Sequence, residues 1–140
     1  MISIIDYGIG NLGSVLNMFR KVKAEAQITS DLKTIEQARK ILLPGVGAFD
    51  RAMQKIHDAG MFDLLNYKAL EEKIPILGVC LGMQLLMENS EEGALPGFGW
   101  IPGHTVAFKK TGDLKVPHMG WNEVEICQPC PLVTDLPEEP

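Results

Sequence analysis

The sequence predicts an α/β fold, a doubly wound and mostly parallel sheet with helices on both faces. Short apolar runs alternate with segments of helical apolar spacing over residues 2–89, which is typical of strand–helix–strand crossovers. Glycine and proline follow the apolar runs at their carboxyl ends, where open parallel sheets bind ligands.

The first half of this pattern contains two strands and two helices. Ile2–Ile5 is an apolar run ended by Asp6-Tyr7-Gly8, and apolar residues in Leu12–Val22 recur at helical spacing. A weaker strand is predicted at Ala26–Thr29 and a short helix at Thr34–Arg39.

The second half repeats the alternation. Ile41–Leu43 is a third strand that Pro44-Gly45 stops, and residues 48–72 are helical with a break near Gly60. Ile76–Val79 is the fourth strand, and Leu81–Asn89 is predicted as a helix.

Beyond residue 91 glycines and prolines become frequent. Thr105–Phe108 and Glu123–Ile126 are predicted to form an antiparallel extension of the fold, joined through residues 109–113. We expect residues 1–140 to be one domain that is incomplete at its carboxyl end.

Composition narrows the class of protein. The chain has a net charge of −5 and is 46% hydrophobic, which indicates a soluble globular protein and argues against a nucleic-acid partner. It has no run of about 20 apolar residues that could cross a membrane, and we interpret its first residues as a strand and not as a signal peptide. Three cysteines without a secretory signal favour the cytoplasm.

Residues 78–84 (GVCLGMQ) carry the strongest signal for chemistry. A nucleophile between two nearby glycines, placed after a strand and before a helix, is the pattern of a nucleophile elbow. Small residues relieve crowding in the sharp turn, and the helix N-terminus favours the thiolate of Cys80. The N–H of Leu81 is then free for an oxyanion, and Gln84 lies one helical turn beyond the cysteine. A buried core cysteine is the alternative for an isolated Cys, but the flanking glycines favour a nucleophile.

Residues 43–48 (LPGVGA) follow the third strand. Amide hydrolysis passes through a tetrahedral intermediate whose oxyanion needs backbone donors. Alone, such a segment is most often a turn, but with the elbow it predicts the second half of an oxyanion hole.

These motifs resemble those of class I glutamine amidotransferases. Residues 6–12 (DYGIGNL), 43–47 (LPGVG) and 117–122 (PHMGWN), together with the cysteine motif, resemble the branch formed by glutaminase subunits of imidazole glycerol phosphate synthases, over essentially the whole chain.

The resemblance implies that Cys80 attacks the side-chain amide of glutamine and forms a glutamyl thioester, releasing ammonia. Ammonia then passes to a cyclase subunit with a (β/α)8 barrel, in a heterodimer that serves histidine biosynthesis. It implies no metal and no organic cofactor. The implied oxyanion and substrate residues are Gly45, Val46, Gly47, Leu81 and Gln84, and the implied partner-interface residues are Asn11, His118, Met119 and Trp121.

One feature departs from the family. A cysteine glutaminase needs a base, which the family supplies as a late His-x-Glu motif. The histidines here, His57, His104 and His118, have no acidic residue two places on, and the family's fold continues beyond residue 140. We therefore expect the 140-residue chain alone to be inactive. A catalytically dead scaffold or regulatory subunit is an alternative.

Two further motifs have other interpretations. Residues 8–13 (GIGNLG) satisfy the dinucleotide-binding pattern, with Asp31 near the position of a ribose-binding acid. This Rossmann-type alternative leaves Cys80 unexplained. Cys127 and Cys130 form a C-x-x-C pair, but there is no second pair for zinc, and the adjacent prolines oppose a redox helix.

Overall fold

The computed structural model describes residues 1–109, 116–117, 119–128, 130–131 and 133. The chain divides into two units, Met1–Ala107 and Phe108–Pro140. In the described residues all helices and strands belong to the first unit. None of these helices combines the length and the apolar character needed to span a membrane.

A four-stranded parallel sheet organises the first unit, in the order β2-β1-β3-β4. The four predicted strands are confirmed; they are β1 (Ile2–Ile5), β2 (Ala26–Thr29), β3 (Ile41–Leu43) and β4 (Ile76–Gly78). This order is flavodoxin-like and not that of the dinucleotide-binding fold. From β1 the chain adds β2 on one side and then returns to add β3 on the other, and such a reversal of strand order places a ligand-binding crevice at the carboxyl ends of β1 and β3.

Five helices connect or follow these strands. They are α1 (Leu12–Lys21), α2 (Leu32–Glu36), α3 (Phe49–Asp58), α4 (Phe62–Asn66), which continues as a π-helical segment (Tyr67–Glu71), and α5 (Leu81–Leu85). The predicted break near Gly60 is confirmed, at a φ of 66°. Helix α2 begins two residues earlier than predicted because Asp31 caps it, accepting a hydrogen bond from the Thr34 N–H at 2.9 Å.

The hydrophobic core lies mainly on the face covered by α2 to α5. Phe49, Met53 and Ile56 of α3 are buried, whereas α1 has no buried residue. Four rings stack in sequence along this core, His57 on Phe62, Phe62 on Phe98, and Phe98 on Trp100, with centroid distances of 4.2, 5.1 and 4.2 Å.

Lys68 of the π-helical segment is also in the core and is only 1% exposed. Its ammonium donates to the Glu36 carbonyl at 2.7 Å and pairs with the Glu72 carboxylate at 2.6 Å. These two contacts satisfy a charge that would otherwise be costly to bury.

The predicted helix over Leu81–Asn89 is too long. Helix α5 ends at Leu85, and Met87–Ser90 is a strand, β5. The helix ends there because segment 97–101 supplies other donors: the Leu85 and Leu86 carbonyls accept from the N–H groups of Phe98 and Ile101 at 2.8 and 3.0 Å. Tertiary pairing therefore replaces the helical hydrogen bonds.

The antiparallel extension predicted after residue 100 is also wrong. The strand in this region is β6 (Ile101–Thr105), which starts before the predicted Thr105–Phe108 and pairs with β5 in parallel. In the second unit, Glu123–Ile126 is described but forms no strand. The alternation of apolar and polar residues in this segment suggested a strand, but the segment pairs with no strand among the described residues.

Candidate active site

Cys80 lies in the turn between β4 and α5, at the carboxyl edge of the sheet. Its φ and ψ are 54° and −117°, a conformation that L-residues rarely adopt, and its side chain is exposed. The Val79 N–H donates to the Leu43 carbonyl at 3.1 Å, which fastens the turn to the neighbouring strand. The sulfur is therefore displayed on a rigid, strained turn.

Two glycines make this turn possible. A β-carbon on Gly78 would lie 2.7 Å from the backbone nitrogen of Met83, and one on Gly82 would lie 2.7 Å from the carbonyl carbon of Leu43. Both distances are shorter than any normal contact of a β-carbon. The small residues that the motif predicted two before and two after the cysteine are thus required by backbone approach.

The loop after β3 lies against the elbow. A β-carbon on Gly45 would be 3.1 Å from the Leu81 β-carbon and 3.2 Å from the Gly82 nitrogen. Val46 is 56% exposed, and Gly47 has a φ of 103° with open space around it. Because Leu81 is the first residue of α5, its N–H has no acceptor within the helix. The structure therefore brings the two predicted halves of the oxyanion hole together.

Tyr7 is part of this site, although we did not assign it a role from the sequence. It is only 4% exposed, and its hydroxyl donates a hydrogen bond to the Pro44 carbonyl. Burial, and secondarily the charge of Cys80, raise the pKa of the Tyr7 phenol well above its usual range. The one available signal was its position at the carboxyl end of β1, beside the strand that carries the loop.

Gln84 is half-buried on α5. Its side-chain carbonyl accepts a hydrogen bond from the Ser90 hydroxyl at 3.3 Å, and Ser90 is buried on β5. This contact orients the amide of Gln84. Ser90 could not be found from the sequence because β5 was predicted as helix.

The predicted interface residues lie in different units. Asn11 is exposed at the start of α1 and caps it, accepting from the Ser14 N–H at 3.2 Å. Met119 and Trp121 belong to the second unit and are 85% and fully exposed. His118 lies outside the described residues.

Neither described histidine forms a hydrogen bond with Cys80. His57 is near the end of α3, a helix that begins at the carboxyl edge of the sheet and runs back about 12 Å toward the opposite edge. His104 is exposed on β6 opposite Asn89, whereas the adjacent Ser90 is buried on the other face. The described histidines are therefore not placed as bases for Cys80.

The described residues contain no group of three or more His, Cys, Asp or Glu side chains placed to hold a metal ion. None of the three cysteines forms a disulfide in the structure.

The carboxylate of Asp31, the candidate ribose-binding acid, is engaged by the N–H and hydroxyl of Thr34, and these hydrogen bonds lower its pKa. This contact and the strand order both count against the dinucleotide-binding alternative.

The α/β fold, the strand–turn–helix at Cys80 and the adjoining glycine loop together have the pattern of proteins that carry a nucleophile elbow. The family model for class I glutamine amidotransferases matches residues 3–140. The chain belongs to the class I glutamine amidotransferase family.

Three individual relatives have the name of one subunit of imidazole glycerol phosphate synthase. The chain is 52% identical over 125 residues to imidazole glycerol phosphate synthase subunit HisH 2 of Methanococcus maripaludis, covering 89% of this chain and 62% of the relative. It is 48% identical over 139 residues to the subunit HisH 2 of Pseudomonas aeruginosa, covering 99% and 69%. It is 40% identical over 143 residues to the HisH subunit of Leptospira interrogans, covering 100% and 70%. The chain thus spans 62–70% of the length of these curated relatives.

Proposed function

We propose that this chain is the glutamine-hydrolysing subunit of an imidazole glycerol phosphate synthase. The observation that carries the proposal is the contact between the Gly45 loop and the Cys80 elbow. It supports a site that can both attack an amide carbon and stabilise the resulting oxyanion. The relatives are synthase subunits by name, which supports the same pathway.

In this mechanism the Cys80 thiolate attacks the side-chain amide carbon of glutamine. The oxyanion of the tetrahedral intermediate receives hydrogen bonds from the Leu81 N–H and from the Gly45–Gly47 loop. Collapse to the glutamyl thioester expels ammonia, and this step needs a proton on the leaving nitrogen. Water then releases glutamate and restores the thiol. Gln84, oriented by Ser90, helps to hold the substrate.

The partner is a cyclase subunit with a (β/α)8 barrel, bound as a heterodimer in the cytoplasm. The residues assigned to contact the cyclase are Asn11 in the first unit and His118, Met119 and Trp121 in the range of the second. The exposure of Met119 and Trp121 supports this role, because aromatic residues and methionine are enriched in protein interfaces. Ammonia passes from Cys80 to the cyclase without mixing with solvent. The comparisons do not favour the scaffold or the dinucleotide-binding alternative.

A diazo-ketone analogue of glutamine tests the site, with the labelled residue identified by peptide mass spectrometry. Cys80 should be labelled, and Cys80→Ala should abolish labelling. Cys127→Ala and Cys130→Ala are matched controls that should retain it. Equal labelling of Cys80→Ala would overturn the assignment of the nucleophile.

A binding experiment tests the partner. The cyclase of the same organism should co-purify with the chain, and Trp121→Ala should weaken the complex. An absence of any calorimetric signal between the cyclase and the folded chain would contradict the proposed heterodimer.

A further inference from the structure

The side chain of Tyr7 links the first strand to the oxyanion loop. Its ring packs in the core at the carboxyl end of β1, and its hydroxyl donates to the carbonyl of Pro44, 37 positions later in the sequence. The bond crosses the crevice between β1 and β3. It thus fixes the position of the peptide that opens the loop.

The residue that follows Pro44, Gly45, has no room for a side chain. A β-carbon on Gly45 would lie 3.1 Å from the Leu81 β-carbon and would overlap the Tyr7 hydroxyl. The Tyr7 hydroxyl and the elbow therefore both lie close to the α-carbon of Gly45. Glycine is needed at position 45 for the same reason as at position 82, because a β-carbon would be too close to neighbouring atoms.

The far end of the loop has no comparable restraint. Val46 is 56% exposed, and in the described part of the chain no atom lies within 4 Å of the position where a β-carbon on Gly47 would be. The direction of the N–H groups of residues 46 and 47 therefore depends on how firmly the Pro44–Gly45 end is fixed.

We propose that Tyr7 is a positioning residue of the glutaminase site, whose hydroxyl anchors the oxyanion loop next to Cys80. The inference rests on the proposed function. Tyr7 does not touch the substrate; it acts through the Pro44 carbonyl, so that the loop is already oriented when the oxyanion develops. Preorganised donors of this kind are effective because they need no rearrangement during the reaction.

Tyr7→Phe tests the inference because it keeps the ring and removes the hydroxyl. Tyr67→Phe is the matched control, since Tyr67 is the other tyrosine of the chain and is 51% exposed. Labelling of Cys80 by the diazo-ketone should slow about 10- to 100-fold in Tyr7→Phe, the scale expected for a small misplacement of a catalytic group. Alkylation by iodoacetamide, which needs no oxyanion hole, should change less than about twofold. A purely structural defect would change both rates together.

Hydrogen exchange gives a second measurement that is independent of glutamine chemistry. Amides of residues 45–47 should exchange faster in Tyr7→Phe, while those of α3 should be unchanged. An unchanged ratio of the two labelling rates, or unchanged exchange in the loop, would overturn the inference. If the unsubstituted protein is not labelled by the analogue at all, the proposed function fails, and the exchange result alone decides whether Tyr7 anchors the loop.

Discussion

The carbonyl group of Leu43 occupies the space where a side chain on Gly82 would begin. A β-carbon on Gly82 would lie 2.7 Å from the Leu43 carbonyl carbon. The carbonyl is part of the backbone and a β-carbon is bonded directly to it, so neither group could relieve the contact by rotating a side chain. This contact shows that β3 and the start of α5 are packed backbone against backbone.

Gly82→Ala should therefore destabilise the protein by at least about 2 kcal/mol, since overpacking of this kind forces backbone shifts. Urea denaturation measures the change. Gly13→Ala is the matched control: Gly13 is in α1 with nothing within 4 Å, and alanine there should be neutral or stabilising by up to about 1 kcal/mol. Similar effects of the two substitutions would show that the close approach is not the cause.

Backbone strain at Cys80 gives a second prediction. Because Cys80 has a φ of 54°, Cys80→Gly should be more stable than Cys80→Ala by about 1 kcal/mol, glycine having no β-carbon to strain. Thermal unfolding of the two variants measures the difference. Equal melting temperatures of the two variants would indicate that the backbone of the turn at Cys80 is not strained.

The elbow could be predicted from the sequence because its requirements are local. Glycines two residues before and after a cysteine, between a strand and a helix, report the crowding of a single turn. Tyr7 could not be assigned in this way, since its hydrogen bond joins Pro44 across two strands and depends on strand order.

The early end of helix α5 and the strand β5 were missed for a related reason. The apolar residues Leu85, Leu86 and Met87 suit a helix as well as a buried strand. The outcome depends on the backbone N–H groups of segment 97–101, whose approach no local pattern reveals. The antiparallel prediction failed likewise, because β6 pairs in parallel with β5, and among the described residues no later segment forms a strand.

The buried Lys68 predicts an asymmetry between two substitutions. Glu72 is 33% exposed and can be solvated without its partner, whereas Lys68 is 1% exposed. Glu72→Ala should cost up to about 3 kcal/mol because it leaves a buried charge with only a carbonyl, and Lys68→Met should cost less. Denaturation at neutral pH compares the two. A larger loss for Lys68→Met would contradict this account.

Asp50 predicts an acid dependence of stability. Hydrogen bonds from the Ala94 and Leu95 N–H groups, at 2.9 Å, hold the pKa of its carboxyl below the usual value. A depressed folded-state pKa contributes stability above the unfolded value of about 3.9, and this is lost as pH falls further. Melting temperatures measured from neutral pH to below about pH 4 should fall more steeply for the unsubstituted protein than for Asp50→Asn. If the melting temperatures of the two proteins fall in parallel, protonation of Asp50 does not contribute to the acid dependence of stability.

The rate of glutamine hydrolysis gives a further prediction. The chain of residues 1–140 should hydrolyse glutamine at least about 100-fold more slowly than its Pseudomonas aeruginosa relative, each with its cyclase and nucleotide ligand, because neither described histidine is placed as a base. An ammonia-release assay measures both. Comparable rates would mean that a histidine of this chain serves as the base, and His57→Ala, His104→Ala and His118→Ala would then identify it.

The aromatic stack has a spectroscopic consequence. Trp100 is half-buried, stacked on Phe98 and hydrogen-bonded through its indole N–H to Asn66 at 2.7 Å, whereas Trp121 is fully exposed. The chain has no other tryptophan. Trp100 should therefore emit at shorter wavelength than Trp121, and in Trp121→Phe the intrinsic fluorescence becomes a signal from the α/β unit alone. Conversely, in Trp100→Phe the remaining tryptophan emission of the chain comes from the segment proposed to meet the cyclase, so a blue shift on mixing with a cyclase whose tryptophans are replaced would report docking without any attached dye.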